Sequence, residues 1–139
     1  MKKMIFKIAA VAAIGILLSV AVQAKSNDGY KDGGVQWLPM EATQYCYGTT
    51  TASGKKVRKG IAAAKKEWIG LVAAVYLDEE KEDGTHGPGQ FLGYFEIEDT
   101  GSNEKIQNGT CIDLYNPDKE ACMEFGRKNV WVVLRKGVG

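Results

Sequence analysis

The segment Thr110-Cys111-Ile112-Asp113-Leu114-Tyr115 carries the clearest signal for the fold. Its side chains alternate with a period of two, which indicates a β-strand whose Ile112 and Leu114 face the core. Asp113 then lies on the opposite face. Strands disfavour aspartate, and burial penalises its charge, so this residue needs a hydrogen-bonding partner or a function.

The rest of the chain places this strand in a small β-rich domain. Asn116-Pro117 predicts the start of a helix and Gly126 its end, while 78–90 and 100–110 have the composition of loops. Because few connections are tight turns, six strands and one short helix predict an all-β fold, a six-stranded barrel with interleaved strands. The other five predicted strands are Met40–Tyr47, Gly60–Ala64, Leu71–Leu77, Phe91–Glu98 and Asn129–Lys136.

The N-terminus has the pattern of an export signal. Residues 1–24 combine three early lysines, an apolar run and a short-residue end at Val22-Gln23-Ala24, which predicts a cleaved signal peptide rather than a retained anchor. Residues 25–39 are expected to be a flexible leader and 40–136 the domain. We therefore expect a secreted monomer, extracellular, associated with the cell wall or periplasmic, with no membrane contact after cleavage.

Charge and cysteine content restrict the partners further. Loss of three signal lysines changes the formal net charge from +1 to −2, so nothing favours nucleic acid as a partner. In an oxidising compartment the three cysteines allow one disulfide. Cys46–Cys122 is the pairing we favour; the two pairings with Cys111, or three buried thiols, stay open.

Six motifs follow one another in a characteristic order: Ala42-Thr43-Gln44-Tyr45, Thr51-Ala52-Ser53-Gly54, Gly60-Ile61-Ala62-Ala63-Ala64, Glu98-Asp99-Thr100-Gly101, Ile112-Asp113-Leu114-Tyr115, and Ala121 with Phe125-Gly126-Arg127. Their order and spacing resemble the 3D domain, a family named for three aspartates, over residues 40–136. The resemblance implies a double-psi β-barrel, related to the barrels of membrane-bound lytic transglycosylase A and the expansins.

The resemblance also implies cell-wall glycan as the substrate. Some members of the family cleave the bond between N-acetylmuramic acid and N-acetylglucosamine without water. On this chain Asp113 would then be the acid/base and Asp99 would orient it, raise its pKa or stabilise the oxocarbenium-like charge. Thr51 and Gly101 would line the glycan groove.

One position departs from the family pattern. Lys65 stands where the first aspartate of the family is usual, after the small apolar strand. An ammonium directed into the site would lower the pKa of Asp99 and Asp113, or would bind a carboxylate of the substrate. The departure leaves a non-catalytic glycan-binding module, or an expansin-like loosening protein, as alternatives.

Several residues have a structural interpretation beside the functional one. Asp99 is equally typical of a turn in which its carboxylate accepts backbone N–H groups. Trp68 is a possible platform for a sugar ring, whereas Trp131 is expected in the core. His86, the sole histidine, has no partner at metal spacing, so we expect neither a metal nor another cofactor. The basic run 55–59 is expected to form a solvated face. A weaker interpretation is that it attracts anionic wall polymers.

Overall fold

The computed structural model describes residues 30–32 and 34–137. The predicted signal peptide, residues 1–24, lies outside the described part of the chain. The described strands are β1 (Tyr30–Asp32), β2 (Val35–Tyr45), β3 (Ile61–Ala63), β4 (Leu71–Glu80), β5 (His86–Asp99), β6 (Cys111–Tyr115) and β7 (Lys128–Lys136). The helices are α1 (Glu104–Gln107) and α2 (Lys119–Phe125), and Lys66–Trp68 forms one 3₁₀ turn.

Six of these strands close into a barrel. The order is β2-β6-β3-β5-β4-β7, and β7 pairs back onto β2. The pairs β2–β6 and β3–β5 are parallel and the other four are antiparallel. Parallel neighbours need long crossovers, which agrees with the predicted scarcity of tight turns. The predicted all-β fold with six strands closed into a barrel is confirmed, and the described residues contain two short helices where one was predicted.

The barrel interior is filled by small and branched apolar side chains. Ile97, Ile112, Leu114 and Val132 are essentially inaccessible to solvent, and four alanines share the same cluster. Ile112 and Leu114 face inward as predicted, so Asp113 lies on the outer face of β6. The interior is a packed core, and any ligand must bind on the outside of the barrel.

Several predicted boundaries differ from the structure. The range expected as a leader contributes β1 and the first five residues of β2. The predicted loop 78–90 is mostly a hairpin of β4 and β5, and α1 lies within the predicted loop 100–110. The cap of α2 is Asp118 rather than Asn116, because the Asp118 carboxylate accepts from the Ala121 N–H at 3.1 Å. Gly126 ends this helix, as predicted, with φ +65°.

The favoured disulfide does not form. All three cysteines, which belong to the described residues, are free thiols: Cys111 and Cys122 are buried and Cys46 is half-buried. Burial raises the pKa of the Cys122 thiol, and a neighbouring thiol, Cys46, raises it further. Cys46 and Cys122 are therefore neighbours, but no S–S bond joins them.

Candidate functional site

Strand register brings the two predicted catalytic aspartates onto one face of the barrel. Thr43 pairs with Asp113 across β2 and β6, Asp113 pairs with Ala63 across β6 and β3, and Ala63 pairs with Asp99 across β3 and β5. A β-bulge between Ala62 and Ala63 shifts the register and brings Asp99 into this row. We call these four residues the carboxylate row. Ala63, which lies between the two acids in the register, is buried.

Asp113 is half-buried and partly protected from water. Burial raises the pKa of its carboxyl group, and the charge of Asp99 raises it further. A hydrogen bond from Thr43 Oγ1 to Asp113 Oδ1, at 2.9 Å, opposes that rise, as does the positive charge of Arg127. The net effect raises the pKa of this carboxyl group above that of an ordinary aspartate, which is the direction that a general acid needs.

Asp99 has a different environment, since the backbone holds it. Its Oδ1 accepts hydrogen bonds from the Thr100 N–H at 2.9 Å and from the Ala52 N–H at 3.0 Å. The first bond is that of the capped turn considered as a structural interpretation. The second fixes the loop of residues 46–60 against the end of β5. Both bonds go to one oxygen, Oδ1, and the buried phenol of Tyr45 lies beside the same carboxylate.

Thr51 and Gly101 lie beside Asp99 in different roles. Thr51 is buried, its hydroxyl lies 2.9 Å from that of Ser53, and its Oγ1 accepts from the Lys55 N–H at 3.3 Å. Thr51 therefore holds the loop together from within. Gly101 follows Asp99 by two residues, and a Cβ built on it would meet no atom within 4 Å. Open space thus adjoins the Asp99 turn.

Lys65 and Trp68 contact each other rather than the aspartates. The Lys65 ammonium lies 5.8 Å from the centre of the Trp68 ring, a cation–π distance. Trp68 also packs against the barrel core. Lys65 is not among the groups that perturb the pKa of Asp113. The lowered pKa expected for an inward-facing ammonium is therefore absent at Asp113.

Sequence reasoning missed the ion pair that anchors the loop. Arg58, expected on a solvated face, donates to both oxygens of Glu98 and, at 2.8 Å, to Glu96 Oε1. Glu98 is only 4% exposed. The Arg58 guanidinium holds the pKa of Glu98 below its usual range. No local pattern predicts this pairing, because the partners are 40 residues apart.

Tyr45 is the other missed residue. It lies on the same face of β2 as Thr43, opposite Tyr115, and is only 7% exposed. Burial raises the pKa of its phenol strongly, and the charges of Asp99 and then Asp113 raise it further. The shared strand parity of Thr43 and Tyr45 was visible in the sequence, but the proximity of Tyr45 to both carboxylates was not.

Two further features lie away from the carboxylate row. A cavity of about 220 Å³ borders Ser53, Lys55, Leu71 and Glu96, and neither aspartate lines it. On the β4–β5 hairpin, His86 Nδ1 lies 2.6 Å from Asp78 Oδ2, and the Trp131 indole N–H donates to Asp78 Oδ1 at 2.7 Å. His86 therefore has a partner that its sequence neighbourhood did not reveal.

Within residues 30–32 and 34–137, no group of three or more His, Cys, Asp or Glu side chains is arranged to hold a metal ion. The same residues include no helix long and apolar enough to cross a bilayer. Comparison with known proteins finds no matching family model, no similar curated protein and no similar solved structure.

Proposed function

We propose that the protein acts on peptidoglycan and cleaves the bond between N-acetylmuramic acid and N-acetylglucosamine as a lytic transglycosylase does, with Asp113 as the acid/base. The observation that carries the proposal is the environment of Asp113: a half-buried carboxyl group of raised pKa on the outer face of the barrel, oriented by Thr43 and in one row with Asp99. The resemblance of the six motifs supplies the class of substrate.

The reaction needs one group that first gives and then takes a proton. Protonated Asp113 would donate its proton to the glycosidic oxygen as the bond from that oxygen to the muramyl anomeric carbon breaks. The resulting carboxylate would accept the proton of the muramyl 6-hydroxyl, whose oxygen attacks the same carbon and closes the 1,6-anhydro ring. Asp113 ends protonated, and no water is consumed.

Asp99 and Thr43 would support this cycle without transferring protons. The charge of Asp99 keeps the Asp113 proton in place before the reaction and stabilises positive charge on the sugar ring afterwards. The Thr43 hydroxyl favours the ionised form of Asp113 once its proton has left. These opposing influences suit a group that must exist in both states.

The test is digestion of purified peptidoglycan followed by mass analysis of the soluble products. We expect anhydro-muropeptides from the wild type and a loss of about 10²–10⁴-fold with Asp113→Asn, the usual size of a general acid–base contribution. Asparagine keeps an oxygen that can accept the Thr43 bond, so the fold should survive. Asp83→Asn, in the exposed turn between β4 and β5, is the matched control. Full activity of Asp113→Asn would remove the assignment.

A second candidate is a glycan-binding module without turnover. Two observations favour it: Lys65 occupies the position of the family's first aspartate and contacts Trp68, and Asp99 is engaged with two backbone N–H groups. Such a module would sediment with insoluble peptidoglycan and release no fragments. Lys65→Asp gaining cleavage would support this interpretation, and fragments released by the wild type would exclude it.

A further inference from the structure

Three tyrosine rings form one cluster beside the carboxylate row. The Tyr45 ring contacts the other two edge-on, with ring centres 5.2 Å from Tyr115 and 5.8 Å from Tyr47. Tyr45 is only 7% exposed, whereas Tyr47 is 74% exposed, the largest exposure among the large hydrophobic side chains of the described residues. The cluster therefore has a buried end and an end that is open to solvent.

The buried part of the cluster connects it to the two acids. Tyr45 and Tyr115 are register partners on β2 and β6. Tyr115, which is half-buried, follows Asp113 by two residues, so the two side chains share the outer face of β6, about 7 Å apart along the strand. The charges of Asp99 and Asp113 both reach the Tyr45 phenol. The aromatic surface is therefore continuous with the carboxylate row.

Backbone contacts hold Tyr47 in place at the start of the loop of residues 46–60. The Val57 N–H donates to the Thr49 carbonyl at 3.1 Å, which closes the loop just after Tyr47. The Ala52 N–H donates to Asp99 Oδ1 at 3.0 Å, which ties the same loop to one of the two acids. The position of the Tyr47 ring relative to the carboxylate row is therefore fixed before any ligand binds, and binding need not order it.

An exposed aromatic ring beside a polar site is suited to a saccharide. A sugar ring presents a face of C–H groups, which can pack on an aromatic ring, and hydroxyl groups at its edge, which both donate and accept hydrogen bonds. Tyr47 offers the matching pair of surfaces, an apolar ring and a phenol tip in water. Continuity with the carboxylate row, where the proposed function places the glycan, selects this occupant over a partner protein.

We propose that Tyr47 is a substrate-binding residue whose ring stacks on a sugar unit of the glycan strand, next to the unit held at Asp113. This inference rests on the proposed function, because it takes the glycan as the occupant of the carboxylate row. Tyr115 would form the wall between the stacked unit and Asp113. Stacking at a fixed ring would set the position of the strand, so that one glycosidic bond lies over Asp113.

The experiment measures co-sedimentation with purified insoluble peptidoglycan, with Asp113→Asn as the parent protein so that the polymer is not digested. Tyr47→Ala should bind roughly three- to tenfold more weakly than the parent, the usual effect of losing one aromatic contact. Tyr47→Phe keeps the ring and should bind as the parent does. Tyr94→Ala is the matched control, because Tyr94 is 57% exposed and lies about 17 Å along β5 from Asp99. Urea midpoints should stay close to that of the parent, since most of the Tyr47 ring is in water.

Each outcome has one interpretation. If the parent binds and Tyr47→Ala binds equally well, or if Tyr94→Ala weakens binding as much, this inference fails while the proposed function stands. Equal weakening by Tyr47→Ala and Tyr47→Phe would assign the effect to the hydroxyl and would overturn stacking. A clearly lower urea midpoint for Tyr47→Ala would show that the ring serves to cover Tyr45, and would also overturn the inference. If the wild type neither binds nor cleaves peptidoglycan, the proposed function fails, and the glycan partner of Tyr47 fails with it.

Discussion

Replacement of Leu114 by alanine tests whether the barrel is as rigid as its closed ring implies. Leu114 is 1% exposed and points into the core from β6, the strand that carries Asp113. Three buried carbon atoms are removed, which costs about 2.4 kcal/mol in transfer free energy at ~0.8 kcal/mol each. A cavity term then adds to this, depending on how far the surroundings can collapse.

The surroundings of Leu114 leave little room for collapse. Its direct partner across β6 and β3 is Ala62, and Ala42 and Ala64 belong to the same cluster. Short side chains cannot reach into the vacated space, and the six strands are joined in a ring that resists inward movement. We therefore expect a total loss of about 4 kcal/mol, toward the upper part of the range for leucine-to-alanine changes.

The assay is equilibrium unfolding in urea, followed by tryptophan fluorescence. A loss of this size is a large share of the ~5–15 kcal/mol by which a typical domain is stable. The urea midpoint of the variant should therefore be much lower than that of the wild type, with the same dependence of unfolding free energy on urea concentration. Leu71→Ala is the matched control, because Leu71 is only partly buried at the start of β4 and should cost about 1–2 kcal/mol. A loss below about 2 kcal/mol for Leu114→Ala, with the slope unchanged, would refute the rigid barrel.

Two further changes test the loop anchor and a bulge. Arg58→Gln should remove the main cause of the lowered pKa of Glu98. In the wild type, the ionised Glu98 stabilises the fold above the usual glutamate pKa, and this stabilisation is lost as the pH falls through the lowered pKa. The variant should therefore be less stable than the wild type at neutral pH and should lose less stability on acidification; Lys56→Gln is the control. An unchanged pH profile of urea midpoints would contradict the anchor. Gly93→Ala should lower the free energy of unfolding by about 1–2 kcal/mol, because the backbone φ of Gly93 is +141° at the irregular pairing of β5 with Val75. The new Cβ would make only an ordinary contact with Phe95, at 3.6 Å, so the cost is one of backbone conformation. An unchanged free energy of unfolding would show that the backbone relaxes.

The core strands could be predicted from the sequence because their pattern is local. Ile112 and Leu114 face inward as their alternation indicates, and the valine-rich segment of β7 is buried at its centre. The β4–β5 hairpin was not predicted, because its local sequence pattern is not that of a strand. Its acidic sequence, with glycine and proline, is typical of a loop. In the structure, however, β4 and β5 pair with each other as far as Glu80 and His86.

The candidate site was only partly predictable, since its decisive contacts join distant residues. The row from Thr43 through Asp113 to Asp99 depends on a register that includes a bulge, and no local pattern encodes it. The Arg58–Glu98 pair and the position of Tyr45 beside both carboxylates are likewise products of the closed barrel. Lys65 was expected to lower the pKa of the acids only if it pointed into the site, and its ammonium instead lies over the Trp68 ring.

In the proposed reaction the two aspartates have unequal tasks, which agrees with their different surroundings. Asp99 accepts hydrogen bonds from two backbone N–H groups, and the one from Ala52 fixes the loop of residues 46–60. Asp113 has one neutral donor, Thr43, and a raised pKa, so it can gain and lose a proton without breaking a backbone contact. Asp99 therefore has a structural role in the loop, whereas the only side-chain hydrogen bond to Asp113 in the described residues comes from Thr43. Of the two carboxylates, Asp113 is therefore the one suited to acid/base chemistry, and Asp99 the one suited to fixing the surface on which it occurs.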